Sequence, residues 1–133
     1  MANRIPESFQ DLLTGKITFA HLATIMRDGS PQVTPVWFSY DGQHVVVNSA
    51  KGRLKDRNMR ARAQVALSIL DPDNAYRYLQ IIGRVVEITE AGADLHIDAL
   101  TKKYIGQDSY PWRSPTEVRV IYKILPEKVQ TMG

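Results

Sequence analysis

From Ile17 to Ala50 apolar residues recur near every second position, a strand period, in three runs: Ile17–Met26, Gln32–Tyr40 and Gln43–Ser49. The separators, Arg27-Asp28-Gly29-Ser30 and Asp41-Gly42, both contain Asp-Gly, the strongest short hairpin signal. The three runs therefore predict an antiparallel meander. Pro31 and Pro35 each remove a ladder donor from the second run, which points to an edge position or a bulge near Pro35. Ahead of these runs, Pro6-Glu7-Ser8 opens a short helix with Phe9, Leu12 and Leu13 at i, i+3 and i+4, closed by Gly15; it reads as a lid on the sheet.

Beyond Gly52 the period becomes helical, with Leu54, Asn58 and Ala61 on one stripe. Gln64–Leu70 is again a strand, Asp71-Pro72-Asp73-Asn74 a turn, and Tyr76–Glu90 a long strand in which Gly83 marks a bend or a close backbone approach. A second helix spans Gly92 to Ile105, with Ala93, Ile97, Leu100 and Tyr104 on its apolar stripe. After the aromatic loop Tyr110-Pro111-Trp112-Arg113, the strand Glu117–Leu125 alternates Val118, Val120, Tyr122 and Ile124 against Arg119, Ile121 and Lys123. Six antiparallel strands and about three short helices, joined by tight turns without repeated β–α–β units, predict a mainly β (α+β) fold and favour a barrel, which leaves no open edge.

Length sets the scale: 133 residues and 44% hydrophobic content fit a single domain, 1–133, with one core. Cysteine is absent, which excludes disulfides, thiolate metal sites and Cys nucleophiles and suits a reducing compartment. The opening Met1-Ala2-Asn3-Arg4-Ile5-Pro6 has no apolar leader region, and no run approaches the roughly 20 apolar residues of a membrane span; the expectation is a soluble, cytoplasmic protein. His21, His44 and His96 are scattered, so no metal site is expected. There is no Gly-x-Ser-x-Gly elbow, no nucleotide-hydrolase phosphate loop and no dinucleotide glycine fingerprint, which removes the usual support for hydrolase and kinase readings.

Charge changes the picture in one place. The net charge of +3 is mild, but six of the 17 Lys and Arg residues fall between Lys51 and Arg62, opposed there only by Asp56. The excess is local and lacks interleaved stacking aromatics, so no nucleic-acid partner is expected. A strand handing over to a helix at this point presents unpaired N–H groups and a positive dipole end beside cationic side chains, a recipe for holding phosphate or carboxylate. Lys55 and Asn58, three apart, would share one helix face, and Arg53, Arg57 and Arg60 another. The same residues read equally well as a solvated cationic face. Tyr110 and Trp112 suit either the wall of a flat, anionic cofactor or the cap of a core or interface.

The series His21-Leu22-Ala23-Thr24, Asp28-Gly29-Ser30-Pro31-Gln32, Thr34-Pro35-Val36-Trp37-Phe38, Gly52-Arg53-Leu54-Lys55-Asp56-Arg57-Asn58, Asp71-Pro72-Asp73-Asn74-Ala75-Tyr76-Arg77-Tyr78 and Ile82-Gly83-Arg84-Val85 resembles the pyridoxamine 5'-phosphate oxidase-like split β-barrel flavoproteins. More narrowly it is similar to their branch using the deazaflavin coenzyme F420, over about Phe9 to Lys128. The resemblance implies a homodimeric split β-barrel with cofactor sites at the subunit interface. It implies cofactor contacts at Arg53, Lys55 and Asn58, with Ser49 and Lys51 before them, and ring contacts around Pro35, Val36 and Trp37. Tyr78 and the Tyr110–Arg113 loop would close the substrate side or come from the partner chain. The activity implied is hydride transfer from reduced coenzyme F420 to an unsaturated small molecule. No residue stands out in the sequence as proton donor, which leaves water or a lid side chain, with Tyr110 the candidate. The alternatives are a flavin mononucleotide (FMN)-dependent oxidoreductase or oxidase and a non-catalytic flavin or tetrapyrrole binder.

Overall fold

The fold is mainly β, and the reason it has seven strands instead of six lies in the second alternating run. A computed structural model describes residues 5–133; Met1 to Arg4, on which the reading of a missing leader rests, lie outside the described residues. The strands are β1 (Ala20–Ile25), β2 (Pro31–Val36), β3 (Phe38–Tyr40), β4 (Val45–Ala50), β5 (Gln64–Leu70), β6 (Tyr78–Thr89) and β7 (Arg119–Met132), with helices α1 (Leu54–Ala61) and α2 (Ala93–Ile105). All pairings are antiparallel, in the order β2-β1-β5-β6-β7-β4-β3.

The expected run Gln32–Tyr40 is broken at Trp37, so its halves form the opposite edges of one sheet. Consecutive residues thus join the two edges, and the sheet curls into a split barrel whose seam is Trp37. The meander is correspondingly divided: β1 pairs with β2 across the Asp28-Gly29 turn, and β3 with β4 across Asp41-Gly42. Tyr104 from α2 staples the seam, donating its hydroxyl hydrogen to the Thr18 carbonyl at 2.6 Å while accepting the Phe38 N–H at 3.2 Å. Its ring lies nearly parallel to the Trp37 indole, centroids 5.1 Å apart. Burial pushes the Tyr104 hydroxyl up to about 12, so it stays a neutral donor. Pro31 and Pro35 sit on β2, an edge strand, where a missing N–H costs no ladder bond.

The barrel interior is filled by the alternating inward residues of every strand, among them Leu22, Phe38, Val47, Leu67, Ile81, Tyr122 and Ile124, each essentially inaccessible. The N-terminal segment, a 3-10 turn at Glu7–Phe9 followed by a π-helical turn at Asp11–Gly15, plugs one end with Phe9, Leu12 and Leu13. Gly83 is required for the close approach expected of it: a Cβ there would lie 2.7 Å from the Leu125 carbonyl oxygen, beside a shift in the β6–β7 register. The last strand continues past the expected end at Leu125, through Pro126 to Met132. Pro126 is tolerated because β4 pairs only with residues 119–124, leaving the second half of β7 with one neighbour. On the other face of β4 and β7, α2 lays Ala93 against Val46 and Ile121. That cover buries Arg119 as well.

Candidate functional site

The junction between β4 and α1 is built around a residue that the charge pattern made look incidental. Asp56 is buried, accepts the Gly52 N–H at 2.9 Å and the Tyr122 hydroxyl, and receives Arg60 Nε at 2.9 Å. Burial alone would raise its pKa; the Gly52, Tyr122 and Arg60 hydrogen bonds outweigh that and hold it below the usual carboxylate range. Burial, and then Asp56 itself, push the Tyr122 hydroxyl well above the ordinary tyrosine range. The carboxylate clamps a tight turn in which Gly52 takes φ +92°, a left-handed conformation that glycine adopts without strain. Arg53 follows in extended conformation as the residue capping α1. The clamp fixes where Arg53 and Lys55 emerge.

They emerge into a cavity of about 210 Å³ lined by Pro35, Val36, Trp37, Asn48, Ser49, Arg53, Lys55, Ile97, Tyr110, Trp112 and Arg119. Six of the residues expected at a cofactor site therefore converge there: Pro35, Val36, Trp37, Ser49, Arg53 and Lys55. Three others do not meet them within this chain. Lys51 turns away to an exposed ion pair with Glu90 at 3.2 Å. Asn58 is buried against the sheet, donating to Thr24 Oγ1 at 3.1 Å, so it does not share the Lys55 face; α1 packs on β1 along that side. Tyr78 starts β6, opposite Leu70 and Met132. Arg57 and Arg62 line a separate groove with Met26 and Arg27, on the far side of α1.

The electrostatics are those of an incompletely satisfied anion site. Glu117 is shared by Arg53 at 3.1 Å and Arg119 at 2.6 Å. Burial would raise the Glu117 pKa, but the two guanidiniums, Arg119 foremost, hold it low. Lys55 has no ion-pair partner among the described residues; burial, then Arg53 and Arg119, depress its pKa. Ser49 Oγ is fully buried and has no hydrogen-bond partner. Buried hydroxyls are rarely left unpaired. An oxyanion in the cavity would supply the missing acceptor to Lys55; the Ser49 hydroxyl lies on the barrel-interior face with Val47 and Val120, the other face from Asn48 and Arg119, so Ser49 lines the cavity without presenting its hydroxyl. Tyr110, fixed by its N–H to Asp98 Oδ1 at 2.8 Å, lays its ring 5.1 Å from the Arg119 guanidinium and meets Trp112 edge-on at 5.6 Å. One end of the cavity is thus cationic and the other aromatic.

Arg119 and Asn48 are the cavity residues that sequence reasoning did not single out. Both sit on strands, and Arg119 reads there as the polar member of an outward alternation; the only available signal was a charged residue on a strand face that α2 covers. Among the described residues no three His, Asp or Glu side chains converge as a metal-ligand set, and no helix is long and apolar enough to cross a membrane.

A family model described as pyridoxamine 5'-phosphate oxidase matches residues 5–133. Among solved structures, one described as an F420 reductase is 34% identical with a TM-score of 0.83, covering 95% of this chain and 98% of its own. A conserved hypothetical protein from Mycobacterium tuberculosis is 21% identical with a TM-score of 0.75, over 96% of this chain and 84% of that one. A haem storage protein from Vibrio cholerae is 16% identical with a TM-score of 0.70, over 98% and 96%. The last two likenesses are of fold alone. No curated protein matches the chain.

Proposed function

The chain belongs to the pyridoxamine 5'-phosphate oxidase family, and on that premise we propose that it is a homodimeric oxidoreductase that uses the deazaflavin coenzyme F420. When bound, the reduced cofactor would supply the hydride for an unsaturated small-molecule substrate. The similarity to an F420 reductase supports the choice of cofactor. The observation that carries the reading is an ammonium, Lys55, that lines the cavity with Arg53 and Arg119 and has no carboxylate partner among the described residues.

In this reading Arg53 and Lys55 hold the cofactor phosphate, Arg119 joins them, Ser49 forms part of the wall without presenting its hydroxyl, and the backbone of Pro35 and Val36 with the Trp37 ring flanks the deazaflavin. Asn58 acts indirectly, by holding α1 on Thr24. Lys51 and Tyr78 would contribute from the rim or from the partner chain. Tyr110 is the one phenol lining the cavity and is the candidate proton donor.

Two further observations support a dimer with shared sites. At about 210 Å³ the cavity is smaller than the roughly 300–1,000 Å³ of sites that enclose a whole ligand. Beside it, Val33, Ala23, Ala66 and Ile82 stand directly opposite one another on β2, β1, β5 and β6, an apolar row across the outer face of the sheet. Val33 and Ile82 are 62% and 44% exposed in the single chain. Pro35 pairs with His21 on that same face, so a second copy covering the row would also wall the cavity. Fluorescence quenching with coenzyme F420 and FMN side by side tests the assignment. Tighter binding of F420 is expected; a preference for FMN would move the protein to the flavin-dependent reading.

A further inference from the structure

Behind the cavity a chain of hydrogen bonds runs from β3 through α2 and β4 to β7. Asn48 Nδ2 donates to the Ala93 carbonyl at 2.9 Å, and Asn48 Oδ1 accepts Arg119 Nε at 2.8 Å. A carbonyl only accepts and a guanidinium only donates, so these two neighbours fix which way the amide points. The second Nδ2 hydrogen is directed at His96 Nδ1, 3.1 Å away. Nδ1 must therefore carry the lone pair and Nε2 the proton, which goes to Ser39 Oγ at 2.9 Å. His96 does not line the cavity; it reaches it only through Asn48 and Arg119.

We propose that His96 is a positioning residue for the anion site: its unprotonated Nδ1 locks the Asn48 amide, and the locked amide aims the Arg119 guanidinium into the cavity. The proposal rests on the reading of that cavity as an anion site. Arg119 is 7% exposed and is held at Nε by Asn48 and at Nη1 by Glu117, so losing the Asn48 contact leaves a buried guanidinium free to turn about the Glu117 contact. Protonating His96 would set an N–H against the Asn48 N–H. Flipping the amide would not relieve this, because its oxygen would then face the Ala93 carbonyl and its nitrogen the Arg119 N–H.

The groups around His96 favour the neutral form. Ser39 of β3 and Asn48 of β4 are uncharged, Arg119 of β7 is a cation, and Glu117 is already engaged by Arg119 and Arg53. Burial, and then the Arg119 charge, push the imidazole down to about 4. The device is silent near neutral pH and engages in acid.

Sulfate stays fully ionised across this range and is the probe. Titration of the whole protein with sodium sulfate at constant ionic strength, followed by backbone amide shifts between pH ~7 and ~4, is compared for parent, His96→Gln and His96→Leu. Gln can reproduce both contacts, accepting from Asn48 and donating to Ser39 without titrating. Parent affinity should fall about twofold by pH ~4, where about half of the imidazole is charged, His96→Gln should keep the neutral affinity without that fall, and His96→Leu should be about tenfold weaker throughout. Identical pH profiles for parent and His96→Gln, or full affinity in His96→Leu, would overturn the proposal. If His96→Leu does not fold, the parent against His96→Gln profile and the imidazole ¹⁵N shifts of the parent decide alone. Failure of F420 to bind while these sulfate profiles hold would remove the cofactor assignment only; absence of sulfate binding by the parent at neutral pH would remove the anion site and this proposal together.

Discussion

Two clusters of charge, one on the N-terminal segment and one at the β4–α1 junction, contain similar residues in opposite states of completion. In the first, Arg77 donates to both Asp11 oxygens at 2.7 and 3.0 Å, to Asp71 at 2.9 Å and to the Ser8 carbonyl at 2.7 Å, with its guanidinium 4.7 Å from the Phe9 ring. Lys16 closes the knot with 2.9 Å contacts to Asp71 and Asp73. In the second, two arginines share one carboxylate and Lys55 has no ion-pair partner among the described residues. A saturated cluster ties chain segments together; an unsaturated one has capacity left for something outside the chain.

Breaking each cluster should therefore give opposite signatures. Arg77→Leu leaves Asp11 and Asp71 without their main partner, and the expected result is a fall in Tm of roughly 5 °C or more by calorimetry, with cofactor affinity unchanged. Lys55→Ala should reverse the pattern. A charge-assisted hydrogen bond to phosphate contributes about 1.5–3 kcal/mol, so affinity should drop roughly tenfold or more. Its Tm should hold or rise, since a half-buried cation beside Arg53 and Arg119 is removed. Ser49→Ala sharpens the contrast further: the free protein should gain stability by losing an unpaired buried hydroxyl, while cofactor affinity holds, because that hydroxyl faces the barrel interior.

Acid separates the clusters by window. The neighbouring Asp73 N–H, then Lys16 and Arg77, hold Asp71 far below the carboxylate range. Its contribution is complete above the unfolded value of 3.8 and drains only as pH falls below that. His96 is also depressed, but from 6.5 to about 4, so between those values the unfolded chain binds more protons and stability falls as pH falls. Thermal melts of parent and His96→Gln should diverge across that window and run parallel above it.

Much of this was legible in the chain. The Asp-Gly turns, the α2 stripe and the close approach at Gly83 followed from local rules that tertiary packing left intact. Lys51 to Asn58 could be read as an anion site or as a wet helix face, and the structure divides it: Arg53 and Lys55 enter the cavity, Arg57 stays on the far groove and Asn58 turns into the sheet. That division depends on Asp56 clamping the turn at Gly52, a long-range bond to Tyr122 that no local pattern encodes. The break at Trp37 was hidden because the alternation runs straight through it, and what breaks the strand is the Tyr104 staple from α2, 66 residues away from Phe38 in sequence. Arg119 was hidden for a related reason, since the helix that buries its face is a separate element.

The central claim is that the unsatisfied groups of the junction hold a phosphate. Its most direct test is isothermal titration of parent and Lys55→Ala with coenzyme F420 and with the deazaflavin nucleoside that lacks the phosphate. The substitution should cost roughly tenfold or more with F420 and leave the weaker binding of the phosphate-free nucleoside unchanged. An equal loss with both ligands, or none with either, would contradict it.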